Sequence, residues 1–321
     1  MIERAEVVRM ISLSIVIPVF NSEDCIYEFH RILKHALKSY SYEIIFVDDQ
    51  STDSSWNNIV KISKGDDNVK GINLRKNSGQ DNAIMAGLRH SRGEYVVIMD
   101  DDLQHSPYDI EKLYNACREG DHDICFANFK SINQKLWKNI GSWFNGKIAE
   151  ILIAKPKNIY LSPFKIIKKE IVDELVLYDG KYPYIDGLIL TITDNITQTT
   201  LTHHKRYRGK GNYNLIRSIK VFMRLMTSFS VIPLRIASFT GFIIAALGFL
   251  IGCIYIFKYF TTDFIPEGWT TLVIINLFLG GSILLSLGII GEYIGRSYLK
   301  LNRKQQYTIK EIVTKEEKEC I

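Results

Sequence analysis

Three consecutive carboxylates, Asp100, Asp101 and Asp102, follow the apolar run 95–99 and precede Leu103 and Gln104. An apolar run of that length reads as a buried strand, and alternate strand residues point the same way. If the extended geometry persists past the run, Asp100 and Asp102 converge, and the side-chain oxygen of Gln104 adds a third hard donor. Such donors suit Mg2+ or Mn2+, which take few protein ligands where substrate phosphates complete the shell. The plainer alternative, a solvated acidic loop capping the helix near Pro107, stays open. A second acidic turn, Asp48 to Asp53, follows the run 42–47. Asp49 there is suited to accept hydrogen bonds from a ribose hydroxyl or a base N–H, whereas Asp53 is better read as a cap for the next helix. Pro18, Val19, Phe20 and Asn21 end the first apolar run and are expected to wall the same nucleotide pocket.

Those residues need a frame. Strands are predicted over 14–18, 42–47, 69–74, 95–99 and 124–129. Helices are predicted over 22–40 (capped by Asn21 or Ser22), after Asp53 through residue 64, and over 82–89 and 107–120. Alternating strands and helices with continuously apolar strands imply a parallel sheet covered on both faces. Ligands of such sheets bind beyond the carboxyl ends of the strands, where both acidic turns fall.

The chain has 321 residues, of which 46% are hydrophobic and 23% charged, with a net charge of +5. That mild excess, without a Lys/Arg block in the N-terminal part, speaks against a nucleic-acid partner. Five cysteines without a CxxC pair exclude a zinc knuckle and point to reduced thiols. No GxGxxG follows the first strand, which disfavours a dinucleotide-binding dehydrogenase.

The apolar residues concentrate late. Residues 236–257 and 270–291 are uncharged, each close to the ~20 residues that cross a bilayer. Arg217, Lys220, Arg224 and Arg235 precede them, and Arg296, Lys300, Arg303 and Lys304 follow, which places both flanks in the cytoplasm. In 214–233, Leu215, Ile219, Phe222, Met223 and Met226 recur at helical spacing. This suits an amphipathic helix in the membrane interface, with an ordinary core helix as the alternative. The expected organisation is a leader (1–11), a catalytic domain (12–213), an interfacial helix (214–233), a two-helix transmembrane hairpin (234–293) and a cytoplasmic tail (294–321).

The ordered series 14–21 (SIVIPVFN), 47–53 (VDDQSTD), 77–87 (NSGQDNAIMAG), 99–104 (MDDDLQ), 206–213 (RYRGKGNY) and 288–298 (GIIGEYIGRSY) resembles the motifs of family-2 glycosyltransferases with the GT-A fold. Among these it is most similar to the polyprenyl-phosphate glycosyltransferases, over roughly residues 12–310. The resemblance implies a GT-A, Rossmann-like α/β domain with a mainly parallel sheet, followed by an interfacial helix and two transmembrane helices. It implies an inverting, metal-dependent transfer of a sugar from a nucleotide-sugar, UDP-linked in the bacterial-type members, to undecaprenyl phosphate at the cytoplasmic face. Its site assignments are Asp100, Asp102 and Gln104 for metal and diphosphate, and Asp49 for base or ribose. Pro18, Phe20, Asn21, Gly79, Gln80, Asp100 and Asp101 fall in the nucleotide-binding set, and Arg206 sits on a mobile loop near the phosphates. Lys165, Arg206, Arg217, Lys220 and Arg224 would meet the acceptor phosphate or the lipid surface. Related two-helix members are tetramers.

Three departures stand out. Asp101 replaces the usual Ala, Lys165 replaces an Arg and so offers a point charge instead of a fork, and Gly211-Asn212 replaces a Ser-Lys pair. Asp186 sits where a general base or sugar contact is expected, with a structural role as the alternative. Two other functions are consistent with the motifs, a membrane polysaccharide synthase that extends a glycan and a catalytically idle membrane scaffold.

Overall fold

The computed structural model describes residues 11–129, 156, 159–201, 232–261, 268–301, 305–315 and 318–320. The chain divides into two units, Met1–Gly211 with Arg303–Ile321, and Asn212–Asn302.

The first unit is built on four parallel strands, β1 (Leu13–Val19), β2 (Tyr42–Asp48), β3 (Val69–Leu74) and β4 (Tyr95–Ile98). They alternate with helices α1 (Ile26–Ala36), α2 (Ser55–Gly65) and α3 (Gln80–Arg89). After β4 comes a 3-10 turn (Pro107–Asp109) that leads into α4 (Ile110–Glu119). Every residue of β1 and β4 is buried, which is why these segments read as unbroken apolar runs. Pro18 sits inside β1, paired with Val47 of β2, and lies past the last β1–β4 pair, Val16 with Ile98. Its missing N–H therefore removes no bond on the β4 side. Helix α3 lies close over β1, since a Cβ on Gly87 would come 2.3 Å from Val16 Cγ1.

The sheet differs from the mainly parallel one expected. It has nine strands in the order β7-β5-β6-β4-β1-β2-β3-β8-β9. The added strands are β5 (Ile124–Phe129), β6 (Lys165–Lys168), β7 (Ile196–Leu201), β8 (Ile309–Val313) and β9 (Lys318–Cys320). β6 runs antiparallel to both β4 and β5, β8 antiparallel to β3, and β9 antiparallel to β8, while β7 is parallel to β5. The parallel pairs, among the central four strands and between β5 and β7, are those with helices in the connection, whereas β6, β8 and β9 enter antiparallel to their neighbours. Helices α5 (Lys169–Leu175) and α6 (Ile185–Ile192) follow β6. Of the tail expected over 294–321, residues 294–301 continue α8, and β8 and β9 extend the sheet. Helix α1 is also shorter than expected. Its N-cap is Cys25, and Asn21 and Ser22 belong to the turn before it.

The second unit consists, among the described residues, of α7 (Ile232–Thr261) and α8 (Trp269–Leu301). Their 30 and 33 residues rise about 45 and 50 Å, against a bilayer core of about 30 Å. Phe239, Phe242 and Phe249 on α7, and Phe278, Leu284 and Leu285 on α8, are exposed. Phe278–Gly295 is the one described segment long and apolar enough to cross a membrane, and Ala237–Leu250 is a shorter apolar run. The leader apart from Ile11, and the amphipathic stretch 214–231 with Arg217, Lys220 and Arg224, lie outside the described residues.

Candidate active site

The carboxyl ends of β1, β2 and β4 each turn through a residue with positive φ: Asn21 (55°), Gln50 (59°) and Leu103 (57°). Left-handed backbone at a non-glycine residue is uncommon, and here it recurs at three strand ends of one sheet.

Side-chain bonds sew the first two turns together. Asn21 Oδ1 accepts the Thr52 N–H at 2.8 Å, and the Asn21 N–H donates to Ser51 Oγ at 3.0 Å. Asp53 accepts from the Ser55 and Glu23 N–H groups, at 2.9 and 3.1 Å, although the N-cap of α2 is Ser54, one residue beyond the cap expected. Phe20 is half exposed at this rim, and Pro18 is buried in β1.

Asp48 and Asp49 are buried. Asp49 receives the Ser78 N–H at 2.6 Å on one oxygen and the Gly79 N–H at 2.9 Å on the other. Gly79 precedes α3 with φ of 92°, a conformation natural to glycine. Asp49 therefore fixes the approach to α3. Burial pushes both carboxyls above the ordinary range, against the Ser51 hydrogen bond to Asp48 and the Ser78 and Gly79 bonds to Asp49.

β4 ends at Ile98, and residues 101–105 form a bend. The extended geometry that would aim Asp100 and Asp102 alike does not persist. Instead Asp100 Oδ1 accepts from Gln80 Nε2 at 2.7 Å, and Asp102 Oδ1 accepts the Gln104 N–H at 3.1 Å. Asp101 Oδ2 is buried with no hydrogen-bond partner. Burial drives this carboxyl up to about 7, against a Ser22 hydrogen bond and with the Asp100 and Asp102 charges adding to the shift. Among the described residues no group of three His, Cys, Asp or Glu side chains is placed to hold a metal. The donor types at this tip, carboxylate and side-chain amide oxygens, are of the hard kind that a divalent ion takes.

Lys165 opens β6 opposite Ile98 of β4. It is buried, ion-paired with Asp186 in the first turn of α6, and lies 5.4 Å from the centre of the Phe126 ring. Preceding it, Phe164 stacks on His105 with ring centres 5.3 Å apart, and Phe129 stacks on the same imidazole at 5.0 Å. The acidic loop is thereby anchored to the segment that carries the lysine. Tyr184 stands beside Asp186 and Asp81, and burial, with those two charges, raises its phenol. Gln80, Asp100, Lys165 and Asp186 thus gather at one end of the sheet, with His105, Asp81 and Tyr184 as members that spacing did not announce. Arg206 and the Gly211-Asn212 pair lie outside the described residues.

Residues 14–176 match the model of Glycosyl transferase family 2. The uncharacterized glycosyltransferase YkcC of Bacillus subtilis (strain 168) is 30% identical over 303 residues, 94% of each chain. The prophage bactoprenol glucosyl transferase homolog of Escherichia coli (strain K12) is 27% identical over 94% of this chain and 99% of that one. A solved structure of Mycobacterium tuberculosis glucosyl-3-phosphoglycerate synthase, in complex with Mn2+, UDP-glucose and phosphoglyceric acid, aligns with a TM-score of 0.47. It shares 19% identity over 68% of this chain and 78% of that one, a level that speaks to neither ligand nor activity. The mixed, helix-flanked sheet with its acidic strand tip is GT-A-like. The chain is a glycosyltransferase and belongs to glycosyl transferase family 2.

Proposed function

We propose that this glycosyltransferase moves a sugar from a UDP-sugar to a polyprenyl phosphate, undecaprenyl phosphate in bacteria, at the cytoplasmic face of the membrane. The observation that carries this reading is the reach of the likeness to the bactoprenol glucosyl transferase homolog, which covers 94% of this chain and so takes in the apolar helices as well as the sheet. A polyprenyl tail leaves the bilayer at a cost of about 0.8 kcal/mol per CH2, so the enzyme comes to the lipid. Topology supports an even number of crossings. The chain leaves the sheet after β7, passes through α7 and α8, and returns as β8 beside β3. A hairpin of 236–257 and 270–291 satisfies that condition, and a single span does not.

In this reading the nucleotide lies over the turns after β1 and β2, against Phe20, Asn21 and the loop that Asp49 holds. The diphosphate lies between Gly79-Gln80 and the β4 tip. Asp100 and Asp102 would hold Mg2+ or Mn2+, with Gln104 beside them, and the ion supplies neutralisation of the leaving diphosphate. Asp101, with its buried oxygen, shapes the loop. An acceptor phosphate is largely anionic at neutral pH because its second pKa is about 6, so it needs positioning more than a general base. Lys165 has three N–H donors, of which Asp186 takes one, and with Arg206 it orients the acceptor. A phosphate oxygen attacks the anomeric carbon, the bond to the nucleotide diphosphate breaks with inversion, and the electron pair leaves on the diphosphate. Arg217, Lys220 and Arg224 draw the anionic headgroup to the membrane face. The assembly is a homo-oligomer, a tetramer in this reading.

The test is a donor screen. Membranes holding the full chain receive undecaprenyl phosphate and each of several nucleotide-sugars, and lipid products are weighed by mass spectrometry. A polyprenyl-phosphate monosaccharide is expected from one UDP-sugar. Processive glycan, or no lipid-linked sugar from any donor, defeats the reading.

A further inference from the structure

Gln306 stands five positions beyond the end of α8 and belongs to the catalytic unit. Its side chain is buried and donates to the carbonyls of Tyr178 and Gly180, at 2.8 and 2.9 Å. One side-chain amide spends both N–H groups on a single loop. Arg89, at the end of α3, grips the same loop through the Val176 and Tyr178 carbonyls, at 3.2 Å each, and its Nη1 donates to Tyr307 Oη at 3.0 Å. From Gly180 the chain runs six residues to Asp186, through a buried Pro183 that fixes its own φ. Asn82 Nδ2 reaches the Lys181 carbonyl at 3.4 Å. The path from Gln306 to the Lys165–Asp186 pair is therefore short and stiff.

We propose that Gln306 is a positioning residue for the acceptor side of the site: it holds the loop 178–184 so that Asp186, at the start of α6, stays against Lys165. The proposal rests on the reading that this side receives the polyprenyl phosphate. A residue from the far end of the chain, after the apolar helices, then completes a site otherwise made by residues before them. Within 305–308 only Thr308 meets the sheet edge, accepting the Arg75 N–H at 2.8 Å, while the Gln306 amide bonds the loop.

The experiment uses the full chain in nanodiscs with Gln306→Met, which keeps volume, and Gln306→Glu, which sets a carboxylate against two carbonyls. Hydrogen exchange is followed without ligand, with UDP, and with undecaprenyl phosphate in the disc. Loss of two hydrogen bonds is expected to speed exchange at 180–188 by about tenfold or more while β1 and β2 stay protected. Undecaprenyl phosphate affinity should fall about tenfold and UDP affinity should hold. Glu311→Gln, which alters the 3.0 Å bond from Trp56 Nε1 in the same C-terminal segment, should leave the loop unchanged. Unchanged loop exchange in the Gln306 variants, equal weakening of both ligands, or the same loosening from Glu311→Gln overturns the proposal. If wild-type chain gains no protection from undecaprenyl phosphate, the acceptor reading falls instead. The ligand-free comparison of wild type with variant judges the role of Gln306 separately.

Discussion

Gln80 donates its side-chain amide to Asp100 Oδ1 across 2.7 Å, tying the first residue of α3 to the acidic loop beyond β4. A cation at Asp100 shares that carboxylate with the amide. Gln80→Glu adds a third carboxylate and should tighten Mn2+ about tenfold in a titration read by electron paramagnetic resonance, while slowing transfer by repelling the diphosphate. Asp102→Asn should lower metal-supported transfer at least about 100-fold with insertion into membranes unchanged. Normal turnover by Asp102→Asn would remove the metal from this loop.

The buried Lys165–Asp186 pair gives opposite signs for single and double changes. Asp186→Leu alone strands the buried Lys165 charge and should cost about 3–5 kcal/mol in the denaturant unfolding of the full chain in detergent, and Lys165→Met, which leaves the partly exposed Asp186, should cost less. The double variant should recover most of that stability, yet stay inactive in transfer. Single variants as stable as the wild type would show that the pair is solvated.

Acid sensitivity should come from a site far from the chemistry. Asp66 accepts from Lys34 Nζ at 2.8 Å and faces His30 Nε2 at 3.2 Å. Burial lowers the His30 imidazole below 6.5, against the pull of Asp66. Below that pH the unfolded chain binds a proton that the native imidazole refuses, so the His30 contribution to stability falls as pH drops under about 6.5. Burial alone would raise Asp66, but the Lys34 bond and the Asn68 N–H outweigh it and hold it under 3.8. Its contribution persists above that value and is lost only as pH falls through the lowered one. The buried carboxyls Asp101, Asp48 and Asp49, all raised, work in the opposite sense and add stability as pH falls, so the measurement is a difference: the urea midpoint of His30→Gln should gain on that of the wild type between pH 6.5 and 5.

Two glycines should respond oppositely to alanine. A Cβ on Gly87 meets Val16 Cγ1 at 2.3 Å, and one on Gly65 meets nothing within 4 Å. Gly87→Ala should destabilise by about 1–3 kcal/mol through overpacking. Gly65→Ala should be neutral or gain up to about 1 kcal/mol. A stable Gly87→Ala in thermal unfolding would mean that α3 can lift off β1.

The central sheet was legible because β1, β2 and β4 are buried on both faces and show it as unbroken apolar runs. β8 was not legible. Ile309, Ile312 and Val313 look like any short apolar scatter in a charged tail, and only their pairing with β3 gives them a reason. The acidic residues announced the site, but not its detail. Spacing cannot reveal that the chain bends after Ile98, that Leu103 turns left-handed, or that Asp49 spends both oxygens on Ser78 and Gly79. His105 between Phe129 and Phe164 depends on contacts between distant segments, as does the Lys165–Asp186 pair, and neither leaves a local pattern.

The pairing of β8 with β3 also orders events during synthesis. When the ribosome has made the first 201 residues, one long edge of the sheet is bare, and the strand that covers it waits behind both apolar helices. Trp56 and its partner Glu311 are 255 positions apart. An open β3 edge is a template for unwanted strand pairing, and it stays open until both apolar helices have been made. Completion of the sheet therefore waits on the synthesis of both helices, and a ribosome that stalls between α7 and α8 leaves the β3 edge uncovered.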